Sequence, residues 1–231
     1  MSNYRHEFKY QCSTAQLEIV RHRLGGILKL DKNALQGEYC IRSMYFDSLS
    51  LRCFNENENG TDPREKFRIR IYNASSSRIS LECKRKERGK TYKTSCLLTM
   101  EEFDAIMHRR FTLDVKKMHP VFRKFYYLML TEHFAPSVIV EYDRVPFVCP
   151  LGNVRITLDK NIRSSDSFDQ FFSPSLPTRP IMPAGQHLLE VKYDEYIPDY
   201  IKELIQMEGL RQATFSKYYL CKKYSMRGLL L

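Results

Sequence analysis

The chain has 231 residues, with 37 Lys and Arg against 27 Asp and Glu, a formal charge of +10 at pH 7. At 43% hydrophobic and 13% aromatic, with 9 Gly and 10 Pro, it can fill a core and is neither disordered nor fibrous. No apolar run approaches the ~20 residues of a membrane span, and the start MSNYRHEFKY is charged where a signal peptide is apolar, so a cytoplasmic protein is expected.

Period-2 alternation predicts a strand at RHEFKYQC, residues 5–12. Ser13 followed by Gln16 forms a capping box opening an amphipathic helix over 14–24. Strands are predicted next at GEYCIRSMYFD (37–47), REKFRIRIYN (64–73), RISLECKRK (78–86) and KTYKTSCLLT (90–99). Thr99 with Glu102 opens a helix over 100–110, and a helix over 118–132 carries Pro120 in its first turn, where a missing N–H costs little. Strands follow at SVIVEYDRVPFV (137–148), VRITLDKNI (154–162) and HLLEVKYDEY (187–196), and helices over 198–208 and 213–224. Between them residues 163–187 hold four prolines among Ser and Asp, an irregular stretch long enough to be functional or mobile. No linker divides the sequence, so the expectation is a single α+β domain over residues 1–231, built on about eight mostly antiparallel strands.

The seven cysteines (Cys12, Cys40, Cys53, Cys83, Cys96, Cys149, Cys221) contain no C-x-x-C pair and read as reduced structural thiols. The six histidines show no metal spacing, and no Walker A, G-x-G-x-x-G or G-x-S-x-G element occurs.

The strands place charge where a core face belongs. Lys66, Arg68, Arg70 and Tyr72 share one face of their strand, opposite Phe67, Ile69 and Ile71. Ser80, Glu82, Lys84 and Lys86 share another, as do Glu190 with Lys192, and Arg5, Glu7 and Lys9. A single such strand is an ordinary solvated sheet face. Four of them, three with the same Glu-x-Lys pair (Glu7–Lys9, Glu82–Lys84, Glu190–Lys192), form a pattern that surface ion pairs worth ~0–1 kcal/mol do not reward. If the strands close into a barrel, alternate residues line its lumen with Lys, Arg and a few Glu. Such a lumen demands a polyanionic guest, and the carboxylates then bind a metal or hold the lysines in place.

The order RHEFKY, YFD, FRIRIY, LECKRK, EYDR, VRITLD, LLEVKY, SKY resembles the VTC domain, the polyphosphate polymerase branch of the triphosphate tunnel metalloenzyme superfamily, over about residues 4–224. The resemblance implies a closed antiparallel β-barrel tunnel with surrounding helices, in which ATP is held with Mn2+ or Mg2+ and its γ-phosphate is passed to a growing inorganic polyphosphate chain. Pyrophosphate or phosphate is a possible primer. Matched position by position, the resemblance assigns Arg68, Arg70, Lys84 and Lys192 to a catalytic clamp on the triphosphate and Lys217 to the reacting phosphate. Lys9, Tyr142, Arg144 and Ser216 match further phosphate ligands, and Glu190 matches the metal-binding glutamate. One more basic position falls on Lys90 or Lys93, and parity with Tyr92 outward favours Lys93. Arg155, on the same side as Thr157 and Asp159, is a lesser candidate.

The superfamily's E-x-E-x-K reads Arg5, Glu7, Lys9 here, so a cation replaces one metal carboxylate, which favours one metal over two. Eukaryotic members carry an SPX sensor domain and membrane helices; this sequence shows neither, and whether a membrane partner couples synthesis to export stays open. Tyr and Phe interleave with the basic residues, as single-strand nucleic-acid binding would use, but they mostly fall on the apolar phase, so no nucleic-acid partner is expected. Two other readings stay open: a non-catalytic receptor for polyphosphate, inositol phosphates or nucleotides, and a triphosphatase releasing orthophosphate. Oligomeric state is left open.

Overall fold

The computed structural model describes residues 4–34, 36–110, 114 and 117–227. Along these the chain forms β1 (His6–Ser13), α1 (Thr14–Gly25), β2 (Lys29–Leu30), β3 (Tyr39–Asp47), α2 (Arg52–Glu58), β4 (Arg64–Tyr72), β5 (Ser75–Glu87), β6 (Lys90–Leu98) and α3 (Met100–Met107). It continues with α4 (Pro120–Thr131), β7 (Ala135–Cys149), β8 (Val154–Ser165), β9 (Arg179–Pro180), β10 (Gln186–Tyr193), α5 (Asp199–Ile205) and α6 (Lys217–Arg227). Both capping boxes form, Ser13 with Gln16 on α1 and Thr99 with Glu102 on α3, and Pro120 stands in the first turn of α4.

Eight strands make one antiparallel sheet in the order β1-β10-β8-β7-β3-β4-β5-β6, with the short β2 on β7 and β9 on β8. The fold is α+β, as expected. The apolar phase of the strands packs outward against helices. Phe8, Ile156, Leu189 and Val191 meet Leu17, Val20 and Leu24 of α1 and Ile201 of α5. Phe67, Ile69, Leu81 and Ile139 meet Phe103 of α3 and Phe122 and Phe125 of α4. Burying a side chain of this size contributes about 1.5–3 kcal/mol. These two layers therefore fix which face of the sheet turns inward.

The expected closed barrel is corrected by the structure. Among the described residues β1 and β6 share no ladder and meet at one point, where Arg5 and Thr91 exchange backbone hydrogen bonds of 2.8 and 2.9 Å. Further along, the free edge of β1 is occupied by the segment ahead of α6: Tyr10 pairs with Gln212, and the Ala213 N–H donates to the Lys9 carbonyl at 2.8 Å. This inserted segment takes the hydrogen bonds that β6 would need, so the sheet stays a strongly curled half-barrel. It also explains why α6 starts at Lys217 rather than at 213.

The irregular stretch lies on the outside. Arg42, 2% exposed, donates to the carbonyls of Phe171 and Ser173 at 2.7 and 2.8 Å and to Glu141, while Phe171 stacks on Phe103 with ring centroids 5.8 Å apart. A buried Arg–Glu pair thus pins the loop to the sheet.

Candidate functional site

The charged phase of the strands turns into the curl of the sheet and lines a cavity of about 820 Å³. All twelve residues singled out in the sequence stand on its wall: Lys9 from β1, Arg68 and Arg70 from β4, Lys84 from β5, Lys93 from β6, Tyr142 and Arg144 from β7, Arg155 from β8, Glu190 and Lys192 from β10, and Ser216 and Lys217 at the head of α6. Lys93 lies on this wall and Lys90 does not, in keeping with the strand parity. No residue of 163–187 lines it. Among the described residues thirteen Lys and Arg line the cavity against four carboxylates, Glu7, Glu190, Asp194 and Glu195, with buried Glu82 and Asp159 immediately behind.

Three carboxylates organise most of these cations. Glu82, 3% exposed, receives Arg68 at 2.6 and 2.8 Å and Lys93 at 3.0 Å, with Arg70 at 3.8 Å. Asp159 takes a bidentate contact from Arg144 at 2.6 and 2.7 Å and Lys217 at 2.6 Å. Glu7 holds Lys84 at 2.6 Å and Lys9 at 3.0 Å. On the β1–β10 ladder Glu7 stands opposite Lys192 and Lys9 opposite Glu190, so acid and base alternate along and across the strands. Glu190 pairs with Lys192 at 2.9 Å and lies 3.5 Å from Arg144 and 3.9 Å from Lys217.

Burial alone pushes the Glu82 carboxyl up, but Arg68, Arg70 and Lys93 outweigh it and hold the group well below the usual carboxylate range. Glu190 follows the same balance under Lys192, Lys9, Lys217 and Arg144, and Glu7 under Lys84 and Lys9. These acids stay ionised, which keeps their arginines and lysines fixed in place before any guest arrives.

The remaining contacts orient the cations and, apart from the Arg155–Asp31 ion pair, do not neutralise them. Arg68 donates to the Tyr45 hydroxyl at 2.7 Å, and Arg70 to Ser43 at 3.1 Å and Tyr142 at 3.3 Å. The Tyr142 ring lies under Lys217 at 4.7 Å and Arg144 at 5.1 Å, a cation–π arrangement. Arg155 reaches the Tyr39 hydroxyl at 3.0 Å and Asp31 at 2.7 Å, and Lys9 donates to the Phe215 carbonyl at 2.7 Å.

Sequence reasoning did not select Arg5, Arg64, Lys66 or Lys86 as site residues, though all four line the cavity. The resemblance selected Arg68 and Arg70, but strand alternation had already put Lys66 on the same face, so the signal was present. Lys66 is held by Asn57 at 2.5 Å and Ser216 at 3.1 Å. Burial, then Arg64, Lys9 and Lys84, push its amine down to about 7. Lys84 is pushed down to about 8, by burial first, even with Glu7 against it.

Among known proteins, the family model described as the VTC domain matches residues 4–225. A Bacillus halodurans structure described as a candidate adenylate cyclase superposes with a TM-score of 0.55 at 12% identity, over 92% of this chain and 95% of that one. One of the same description from Vibrio parahaemolyticus gives 0.54 at 10% identity, over 95% and 98%. A Hippeastrum candidate adenylyl cyclase with a dominant triphosphatase activity gives 0.52 at 13% identity, over 96% of each. At these identities the likeness is one of fold. No curated protein sequence matches the chain.

Proposed function

The chain belongs to the VTC domain family, and from that premise we propose that it is a polyphosphate polymerase, transferring the γ-phosphate of ATP to the end of a growing inorganic polyphosphate. The observation that carries this reading is the cavity wall itself, where eight of the lining cations are set by the ionised carboxylates Glu7, Glu82, Asp159 and Glu190 before any phosphate is bound. Phosphoryl transfer needs little covalent help; it needs donor and acceptor held in line and charge neutralised on the equatorial oxygens. Arg68, Arg70, Lys84 and Lys192 clamp the triphosphate, the two arginines with paired N–H donors that lysine cannot offer. Lys9, Lys93, Tyr142, Arg144, Arg155 and Ser216 bind phosphate around that clamp. Lys217, fixed by Asp159 and the Tyr142 ring, reaches the reacting phosphate, and the acceptor's terminal phosphate is the nucleophile without a protein base.

Among the described residues no three His, Cys, Asp or Glu side chains group as a metal site. Glu190 offers one ionised carboxylate on the wall, which fits a Mn2+ or Mg2+ that takes its other ligands from phosphate and water. An ion held there would neutralise phosphate charge.

A triphosphatase is the second reading, since a Hippeastrum protein of the same fold has that as its dominant activity. The test is to incubate the protein with ATP and Mn2+, with and without pyrophosphate or short polyphosphate, and resolve chains, ADP and phosphate. Long chains with matching ADP uphold the polymerase, and Glu190→Ala then abolishes synthesis. Orthophosphate as the sole product overturns it in favour of the triphosphatase, and unchanged ATP with tight polyphosphate binding in favour of a receptor.

A further inference from the structure

Ten of the thirteen lining cations have a carboxylate within 4.0 Å: Asp194 for Arg5, Glu7 for Lys9 and Lys84, Glu82 for Arg68, Arg70 and Lys93, Asp159 for Arg144 and Lys217, Asp31 for Arg155, and Glu190 for Lys192. Among the described residues, Arg64, Lys66 and Lys86 have none. The three are not scattered. Arg64 and Lys66 are successive inward residues of β4, about 7 Å apart. Lys86 is the β5 residue directly opposite Arg64, one inward step beyond Lys84, which faces Lys66.

The hydrogen-bond partners of Lys66 and Arg64 are neutral, and Glu7 and Asp62, the carboxylates that act on Lys86, lie beyond 4.0 Å. Lys66 donates to Asn57 and Ser216 and lies 5.2 Å over the Tyr218 ring; Arg64 donates to the Thr61 carbonyl at 2.7 Å. Three cations side by side repel one another, and the chain supplies an amide and a hydroxyl where a carboxylate would relieve the strain. Burial first and the neighbouring cations second push both amines down, Arg64, Lys9 and Lys84 acting on Lys66 and Arg64 and Lys9 on Lys86. An anion from outside removes it.

The two regions of the cavity therefore differ in kind. The clamp carries Glu7, Glu82, Asp159 and Glu190, which suits a triphosphate that arrives with a divalent cation. The Arg64 region carries no paired carboxylate, which suits phosphates that arrive without one. Resting on the polymerase reading, we infer that Arg64, Lys66 and Lys86 form a second anion seat that holds the metal-free phosphate chain of the acceptor. Lys66 joins the two regions, because Ser216, which accepts its hydrogen bond, directly precedes Lys217.

The test is titration calorimetry on the full chain with two probes, a short polyphosphate without divalent metal and ATP with Mn2+. Lys66→Met combined with Lys86→Ser should weaken polyphosphate binding about tenfold or more, the loss of charged contacts, while ATP with Mn2+ changes about twofold or less. Lys86→Ser alone, at a half-buried position, should give a smaller loss of the same selectivity and keeps the test usable if the double variant does not fold. Equal losses for both probes overturn the seat, because the residues then serve the nucleotide; unchanged polyphosphate affinity overturns it as well. A wild type that makes chains alongside a variant that binds polyphosphate normally rejects the seat and leaves the polymerase standing. Selective loss in a protein that makes no chains upholds the seat and rejects the polymerase.

Discussion

Replacing Glu82 by Gln removes one negative charge from the point where Arg68, Arg70 and Lys93 converge. The carboxylate is 3% exposed and accepts hydrogen bonds of 2.6, 2.8 and 3.0 Å, so water cannot take its place. Removing one partner of a buried ion pair costs about 3–5 kcal/mol, and the amide oxygen retained by Gln argues for about 3. In a chain of this size that lowers Tm by roughly 6–12 °C. The same change releases three cations for a ligand. Metal-free tripolyphosphate should therefore raise the Tm of Glu82→Gln further than that of the wild type, returning part of the loss. Thermal unfolding followed by circular dichroism, with and without tripolyphosphate, measures both effects. A loss below about 1 kcal/mol, or equal gains from the ligand, would refute the view that Glu82 stands in for phosphate charge in the free protein.

Arg70→Ala should cut turnover by about a hundredfold or more while leaving Tm near wild type, because it deletes a clamp donor but also relieves repulsion with Arg68; steady-state kinetics beside a melting curve checks it. Polyphosphate binding at pH 8 should take up about one proton, since the Lys66 amine sits near 7 when free and an anion beside it restores its charge; calorimetry in buffers of different ionisation enthalpy reads this, and no buffer dependence counts against it. Glu7, Glu82, Glu190 and Asp159 all have folded values below their unfolded ones, so their contribution is complete above about pH 4.5 and lost as pH falls below it; urea melts at pH 6 and pH 3 test the sign. Gly152→Ala should destabilise by about 1–3 kcal/mol, because φ there is +67° and an added Cβ would stand 2.3 Å from the Tyr196 carbonyl; a denaturant midpoint unchanged from wild type would reject the strain.

The inward charge pattern was legible because side-chain alternation along a strand does not depend on the partner strand. Which charges pair did depend on it. Of the three Glu-x-Lys repeats, Glu7–Lys9 and Glu190–Lys192 pair within their strands, but Glu82 turns to Arg68 and Lys93, and Lys84 turns to Glu7. Alternation placed Lys66 on the face of Arg68 and Arg70, but its lack of a carboxylate partner depends on the neighbouring strands, which a sequence does not display. Helix α2 escaped because its N-cap is Leu51, at φ +56° with no side-chain hydrogen bond. Asp47 does the capping from the end of β3, accepting from the N–H groups of Cys53 and Phe54 and from the Tyr218 hydroxyl. Barrel closure was expected from the strand count and from the family resemblance, whereas the edge of β1 is claimed by Gln212 and Ala213, the second of which read as the start of a helix.

The pairing of β1 also sets an order of events during synthesis. Its backbone partners are Thr91, the β10 strand from Gln186 onward, and Gln212 with Ala213. β1 thus precedes its ladder partner β10 by more than half of the residues described, and that edge stays unpaired while they emerge. Lys217 arrives later still, on the last helix described. A nascent chain therefore acquires the apolar layer under α3 and α4 well before it can grip phosphate, and free cellular polyanions meet a completed cavity only after α6 has docked.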